Sequence, residues 1–169
     1  MLSRERPTNG RIAGGPLKII VAAAALLCAS AIVAHADTFT ISGTGQIQNQ
    51  VTATGTDGKP IGALYGTSTG QQTYASGMRT PLKGQCVQWS AAPGTGFTTD
   101  GICMGSDSMG TYSLVFGCLG DAKGAVADCW GGLQGTGGGY ANKTGTESWH
   151  STLSADQKTI SFNGVGMWN

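Results

Sequence analysis

The stretch Thr159-Ile-Ser-Phe-Asn-Gly-Val-Gly-Met-Trp168 alternates with a period of two residues. Ile160, Phe162 and Trp168 fall on one face together with two glycines, and Thr159, Ser161 and Asn163 fall on the other. This period is typical of a β-strand that buries one face and exposes the other. The stretch therefore predicts a strand at the end of the chain.

The same kind of pattern recurs along the chain after residue 37. In one run Tyr112, Leu114, Phe116 and Cys118 share a face, and glycine-rich segments punctuate the runs. No apolar stripe of helical period is present, and parallel strands need helical crossovers. The pattern predicts an all-β fold, an eight-stranded antiparallel up-and-down barrel, with a two-sheet sandwich as the alternative. The strands are expected near residues 38–54, 60–69, 82–91, 96–104, 110–119, 125–134, 143–153 and 158–168.

Four of the five cysteines lie in the predicted barrel, at Cys86, Cys103, Cys118 and Cys129. Turns at 93–96 and 120–124 are centred between the first two and the last two, so hairpin pairing predicts disulfides 86–103 and 118–129. Pairing about residues 105–110 would instead place Cys103 opposite Tyr112. The spacing has no C-x-x-C knuckle, and no metal site is expected.

The N-terminal residues have the composition of a secretory leader. Residues 1–18 carry four basic side chains against one acid, residues 19–33 are apolar, and Ala34-His35-Ala36 follows. These features predict a signal peptide over 1–36, cleaved after Ala36, and a secreted or periplasmic protein. The apolar run is shorter than the roughly 20 residues of a membrane-spanning helix, so no span is expected after cleavage. The remaining 37–169 suit one domain with two disulfides.

Charge and motifs exclude several functions. Only 11% of the chain is charged, and residues 37–169 carry six basic and eight acidic side chains. Such a chain has no basic stripe for nucleic acid. Gly135-x-Gly137-x-Gly139 is followed by neither a helix N-terminus nor a Walker lysine, which argues against a phosphate loop. No cofactor is expected, and the oligomeric state stays open.

Glu147 is the candidate for chemistry, because it shares parity with Trp149 and Leu153. If that face points inward, a carboxylate lies beside an indole in an apolar cavity, where burial raises its pKa as suits a proton-transfer group or a ligand anchor. If it points outward, Glu147 is a solvated residue near Lys143. His150 has the opposite parity, which favours a surface position.

Aromatic residues supply the candidate binding surface. They either line a ligand pocket or fill the barrel as its core. The first case predicts binding of a small apolar or aromatic molecule. The second predicts a structural or envelope-interaction domain marked by an exposed apolar patch. The candidate ligand-binding residues are Trp89, Tyr112, Trp130, Trp149 and Trp168.

Two glycine-rich segments resemble those of a known superfamily. Residues 131–145, Gly-Gly-Leu-Gln-Gly-Thr-Gly-Gly-Gly-Tyr-Ala-Asn-Lys-Thr-Gly, resemble a GGTG-(K/R)-(Y/F)-x-G-x-x-G stretch of secreted barrels in the allene oxide cyclase and dirigent superfamily. Residues 101–111 resemble the G-x-C-x-x-x-D-x-x-G hairpin of its uncharacterised bacterial members. Leu133 stands in place of the threonine, and Asn142 in place of a glycine.

The resemblance spans about residues 82–168 and implies a barrel that holds an apolar ligand and steers cyclisation or radical coupling. It adds an alternative function, a cyclase or isomerase in which Glu147 would stabilise positive charge or move a proton. None of the family's catalytic residues matches a numbered position of this chain.

Overall fold

The computed structural model describes residues 36–169, which form a closed barrel of eight antiparallel strands. Each strand pairs with the next along the chain, and β8 pairs with β1 to close the sheet. The up-and-down barrel is confirmed, and the sandwich alternative is wrong. The strands are β1 Asp37–Thr54, β2 Pro60–Tyr74, β3 Arg79–Ser90, β4 Thr99–Ser106, β5 Gly110–Gly120, β6 Val126–Gly138, β7 Thr144–Leu153 and β8 Thr159–Trp168.

The predicted signal peptide lies, apart from Ala36, outside the described residues. Within residues 36–169, no helix is long and apolar enough to cross a membrane.

The predicted strand ends differ most around the turn that joins β2 to β3. β2 continues to Tyr74 and β3 begins at Arg79, so the turn occupies residues 75–78. Gln71, Gln72 and Thr73 lack the apolar alternation of a strand, yet their backbones pair with β3 in register. Ladder hydrogen bonds do not depend on side-chain polarity, and for this reason the hydrophobic pattern missed five residues of β2.

The β4–β5 hairpin is tighter than its glycines suggest. The Asp107 Oδ1 atom accepts hydrogen bonds from the backbone N–H groups of Met109, at 2.7 Å, and Gly110, at 3.2 Å. This Asx turn lets β4 run to Ser106. Consequently Cys103 faces Leu114, and the predicted pairing of Cys103 with Tyr112 is wrong.

Both predicted disulfides are present. Cys86 pairs with Cys103 across β3 and β4, and Cys118 pairs with Cys129 across β5 and β6, each with a Cα–Cα distance of 4.1 Å. All four side chains belong to the inward face, and Cys118 and Cys129 are part of the buried core. The disulfides therefore contribute to the inner wall of the barrel.

Aromatic rings of the interior lie across glycines on the neighbouring strand. A Cβ atom built on any of these glycines would stand far inside van der Waals contact with the ring opposite. An eight-stranded barrel leaves little interior space, so the missing side chain makes room for the ring. The distance from such a Cβ atom to the nearest ring atom would be 2.3 Å for Gly101 and Phe116, 2.4 Å for Gly105 and Tyr112, 2.3 Å for Gly166 and Phe39, and 2.6 Å for Gly43 and Phe162.

The two ends of the barrel differ. The end that carries the turns at 75–78, 107–109 and 139–143 is filled by buried aromatic side chains, with Tyr140 at 0% and Trp168 at 2% exposure. We call it the closed end. At the opposite, open end, β1 has a bulge between Ile47 and Asn49, which brings Gln50 onto the inward face opposite Leu64.

The ring-over-glycine packing predicts the effect of a single methyl group. Gly101→Ala places a Cβ atom 2.3 Å from the Phe116 ring, and we expect this overpacking to lower the free energy of unfolding by about 1–3 kcal/mol. Gly132→Ala is the matched control, because its Cβ atom meets nothing within 4 Å. Equilibrium denaturant unfolding measures both variants, and equal stabilities would contradict this account.

Candidate functional site

The middle of the barrel holds a cavity of about 140 Å³, which we call the inner cavity. An apolar cavity of about this size accepts a molecule such as benzene. The inward faces of all eight strands contribute to its wall, and both disulfides lie in it. The side chains that matter below are Leu64, Leu114, Phe116, Glu147, Trp149 and Phe162.

A wider space of about 400 Å³ lies between the inner cavity and the open end, and we call it the vestibule. Several residues border both spaces, so the vestibule leads into the inner cavity. Its wall includes inward polar groups such as Gln50, Thr52 and Gln88, whereas the inner cavity is mostly apolar. The residues common to both are Ile47, Leu64, Gln88, Ser151 and Ile160.

Glu147 points into the barrel, so the structure has the inward one of the two orientations that the sequence allows. On the neighbouring strands it is paired with Gly131 and Gly166, which have no side chains to cover it. No hydrogen bond or ion pair joins its carboxylate to any other residue between 36 and 169. The carboxylate keeps a little accessible surface because it borders the cavity, although protein atoms enclose it. Burial alone raises its pKa to about 7.

Aromatic rings surround the level of Glu147. Trp149, the next inward residue of β7, contacts Phe116 edge to face, with ring centroids 5.2 Å apart. Tyr112 lies on the other side, toward the closed end. Burial raises the pKa of Tyr112, and the nearby carboxylates of Glu147 and Asp107 raise it further, which keeps the phenol neutral. The inner cavity thus combines one carboxyl group with apolar and aromatic walls.

The closed end is held by a hydrogen-bond network around Tyr140. The Tyr140 hydroxyl donates to Asp107 Oδ2 at 2.5 Å and lies 2.5 Å from the hydroxyl of Tyr74. Thr80 Oγ1 donates to the same Asp107 oxygen at 3.0 Å. The Tyr140 ring stacks on Trp168, with centroids 4.6 Å apart. Burial raises the pKa of Tyr140, as do its bonds to Asp107 and Tyr74.

The sequence patterns did not predict Tyr140 or Asp107 as site residues. The signal was a lone tyrosine inside the glycine-rich segment. A Cβ atom on Gly135 would overlap the Tyr140 carbonyl, so the glycine lets the loop fold back over the barrel end. Asn142, in the same loop, has a φ of 65°, a left-handed conformation that asparagine tolerates better than most residues.

The five aromatic candidates separate into three groups. Tyr112 and Trp149 line the inner cavity, and Trp168 belongs to the closed end. Trp89 and Trp130 lie on the outer face, with 40% and 46% of their surface exposed. They occupy the opposite parity from the inward cysteines of their strands, so their side chains point away from the inner cavity, although Trp89 borders the vestibule at the open end.

The outer face carries further apolar side chains. Val87, Ile102 and Val115 lie side by side across β3, β4 and β5 and are each at least 40% exposed. Trp130 lies beside Phe97, with ring centroids 6.5 Å apart. This is the kind of exposed apolar surface that a structural or envelope-interaction domain requires.

His150 lies on the outer face, as its parity predicted, with Nδ1 2.8 Å from Asp128 Oδ1. Among the residues that the structure describes, no three histidine, cysteine or acidic side chains come together as metal ligands do.

Comparison of the chain with protein-family models, with curated proteins and with solved structures finds no match. The assignment of function therefore depends on the geometry of the barrel itself.

The closed-end network predicts that Tyr140→Phe destabilises the protein. The variant removes a buried donor and leaves Asp107 and Tyr74 without that partner, which we expect to cost about 1–3 kcal/mol. Tyr65→Phe, on the outward face of β2, is the control and should leave stability within about 0.5 kcal/mol of the wild type. Thermal and denaturant unfolding report both, and a Tyr140→Phe protein as stable as the control would contradict the network.

The buried carboxyl group predicts an unusual pH dependence of stability. The pKa of Glu147 is about 7 in the folded protein, whereas the ordinary value for a glutamate is 4.5, so the folded state binds its proton more tightly. Stability should therefore fall as pH rises from about 4.5 to about 7 and then level off. Glu147→Gln does not titrate. Its stability relative to the wild type should increase by about 3 kcal/mol between about pH 4.5 and about pH 8.

Denaturant unfolding at the two pH values measures this difference. Asp100→Asn, which removes an outward carboxylate on β4, controls for the loss of one negative charge. A constant difference between Glu147→Gln and the wild type would show that the carboxyl group is hydrated or paired.

Proposed function

We propose that this protein is a secreted or periplasmic barrel that binds a small apolar or aromatic molecule inside. The observation that carries the proposal is the inner cavity of about 140 Å³, mostly apolar and joined to the open end through the vestibule. Binding sites of this kind combine apolar walls with few polar groups that orient the ligand. Here Phe116 and Trp149 supply aromatic walls, and Glu147 supplies the polar group.

The location rests on two features of the chain. Residues 1–36 have the pattern of a cleaved leader, and two disulfides are stable in oxidising compartments. A protein exported in this way meets small molecules of the envelope or the medium.

Mass spectrometry of the protein purified from its secretory compartment tests the proposal. The denatured chain should begin at Asp37 and lack four hydrogens because of two disulfides. The native ion should carry an additional small molecule. Leu64→Trp, which fills the junction of vestibule and inner cavity, should abolish the added mass. Thr69→Trp adds the same ring to the outer face and should retain it.

Added mass that survives Leu64→Trp would place the ligand elsewhere. If the native ion is bare, titration with benzyl alcohol decides the question, because the inner cavity accepts a ring of this size. Failure of this titration as well would overturn the proposal.

A second candidate function is that of a cyclase or isomerase, as suggested by the resemblance of the glycine-rich segments to the allene oxide cyclase and dirigent superfamily. The unpaired Glu147 in a water-poor cavity favours it, because a carboxyl group with a pKa near 7 both donates and accepts protons at neutral pH. Glu147→Gln tests the catalytic role: with either function the variant should still bind benzyl alcohol, and a cyclase or isomerase should in addition lose turnover.

A further inference from the structure

The inner cavity contains a carboxylate for which the described chain supplies no partner of opposite charge. The lysine and arginine side chains of residues 36–169 lie on outward positions or in turns, and Lys143 pairs with Asp37 at the closed end. A buried carboxylate is costly to ionise unless a cation or hydrogen-bond donors accompany it. A ligand that carries a positive charge can therefore provide the missing partner.

The groups that face Glu147 do not compensate its charge. Tyr112 of β5 is the titratable side chain near it, and Asp107 lies farther on at the closed end. The adjacent inward positions of β6 carry glycine, leucine and disulfide-bonded cysteine, and those of β8 carry glycine and tryptophan. Every titratable group near Glu147 is thus neutral or acidic, which favours a positive ligand.

The walls of the cavity also suit a cation. Trp149, Phe116 and Phe162 border the space with aromatic rings, and ring faces attract ammonium groups. The position of Glu147 also determines how a ligand is oriented in the cavity. Along β7, Trp149, Ser151 and Leu153 lie between Glu147 and the open end, so a ligand that reaches the carboxylate enters with its charged end first.

We infer that the inner cavity binds a small organic ammonium ion, with its nitrogen against the Glu147 carboxylate and its aryl or short alkyl part against Trp149 and Phe116. This inference rests on the proposed function and names its ligand class. The cavity volume limits the buried part to about the size of one benzene ring, while a longer apolar tail extends into the vestibule.

Calorimetric titration with benzylammonium and benzyl alcohol tests the inference, since the two probes have similar size and differ in charge. At about pH 8, where Glu147 is ionised and the primary amine protonated, benzylammonium should bind the wild type at least about tenfold more tightly than benzyl alcohol. Glu147→Gln should remove this preference and bind benzyl alcohol about as well as the wild type. Below about pH 7 the wild-type affinity for benzylammonium should fall about tenfold per pH unit, because protons compete for the carboxylate.

Asp100→Asn is the matched control. Asp100 is a carboxylate on the outer face, directly across from the exposed Trp89, and could attract the same probe. The control variant should bind benzylammonium as the wild type does. Loss of binding in Asp100→Asn, with Glu147→Gln unaffected, would place the cation outside the barrel and overturn the inference.

The two probes distinguish failure of the ammonium inference from failure of the proposed function. If benzyl alcohol binds and benzylammonium binds no more tightly, the ammonium inference is wrong and the apolar-binding function stands. If neither probe binds, the proposed function fails with it.

Discussion

The packing of aromatic rings across glycines on the next strand is the constraint on which the rest of the barrel depends. Two of the four close pairs, Phe39 with Gly166 and Phe162 with Gly43, lie where β1 meets β8 and close the sheet. The other two lie between β4 and β5, on the opposite side of the barrel. A ring and a side chain could not both occupy these positions, because the interior of an eight-stranded barrel is only wide enough for one layer of side chains.

The barrel is not filled throughout, although each of the four rings occupies the place that a side chain would take on the glycine opposite. At the closed end, Tyr140 and Trp168 occupy the interior, because the β6–β7 loop folds back and brings in an additional ring. At the level of Glu147 no such loop enters, and the inner cavity results. The carboxylate borders this cavity without a partner, because Gly131 and Gly166 beside it have no side chains.

Much of the fold could be predicted from the sequence. The period-two alternation in β5 and β8 and the turns midway between cysteines gave the strand number and both disulfides correctly. The prediction was wrong where structure depends on polar contacts: the last part of β2, with Gln72 inside the barrel, and the tight turn that Asp107 forms with the backbone of Met109 and Gly110.

The candidate site was predicted less completely. Parity grouped Glu147 with Trp149 but could not decide which face points inward, because a lone carboxylate is equally compatible with solvent. Trp89 and Trp130 were grouped with the interior by residue type, although their parity places them outside. Tyr140 could not be found by pattern, because its position depends on how a glycine-rich loop folds across the barrel end.

The proposed function depends on Glu147, which is enclosed and unpaired inside an apolar barrel. Direct NMR titration of the Glu147 side-chain carboxyl carbon, assigned by comparison with Glu147→Gln, measures this property in the folded protein. We expect a midpoint near pH 7, well above the ordinary glutamate value of 4.5. A midpoint at or below 4.5 would show instead that the carboxylate is hydrated or paired with a positive group.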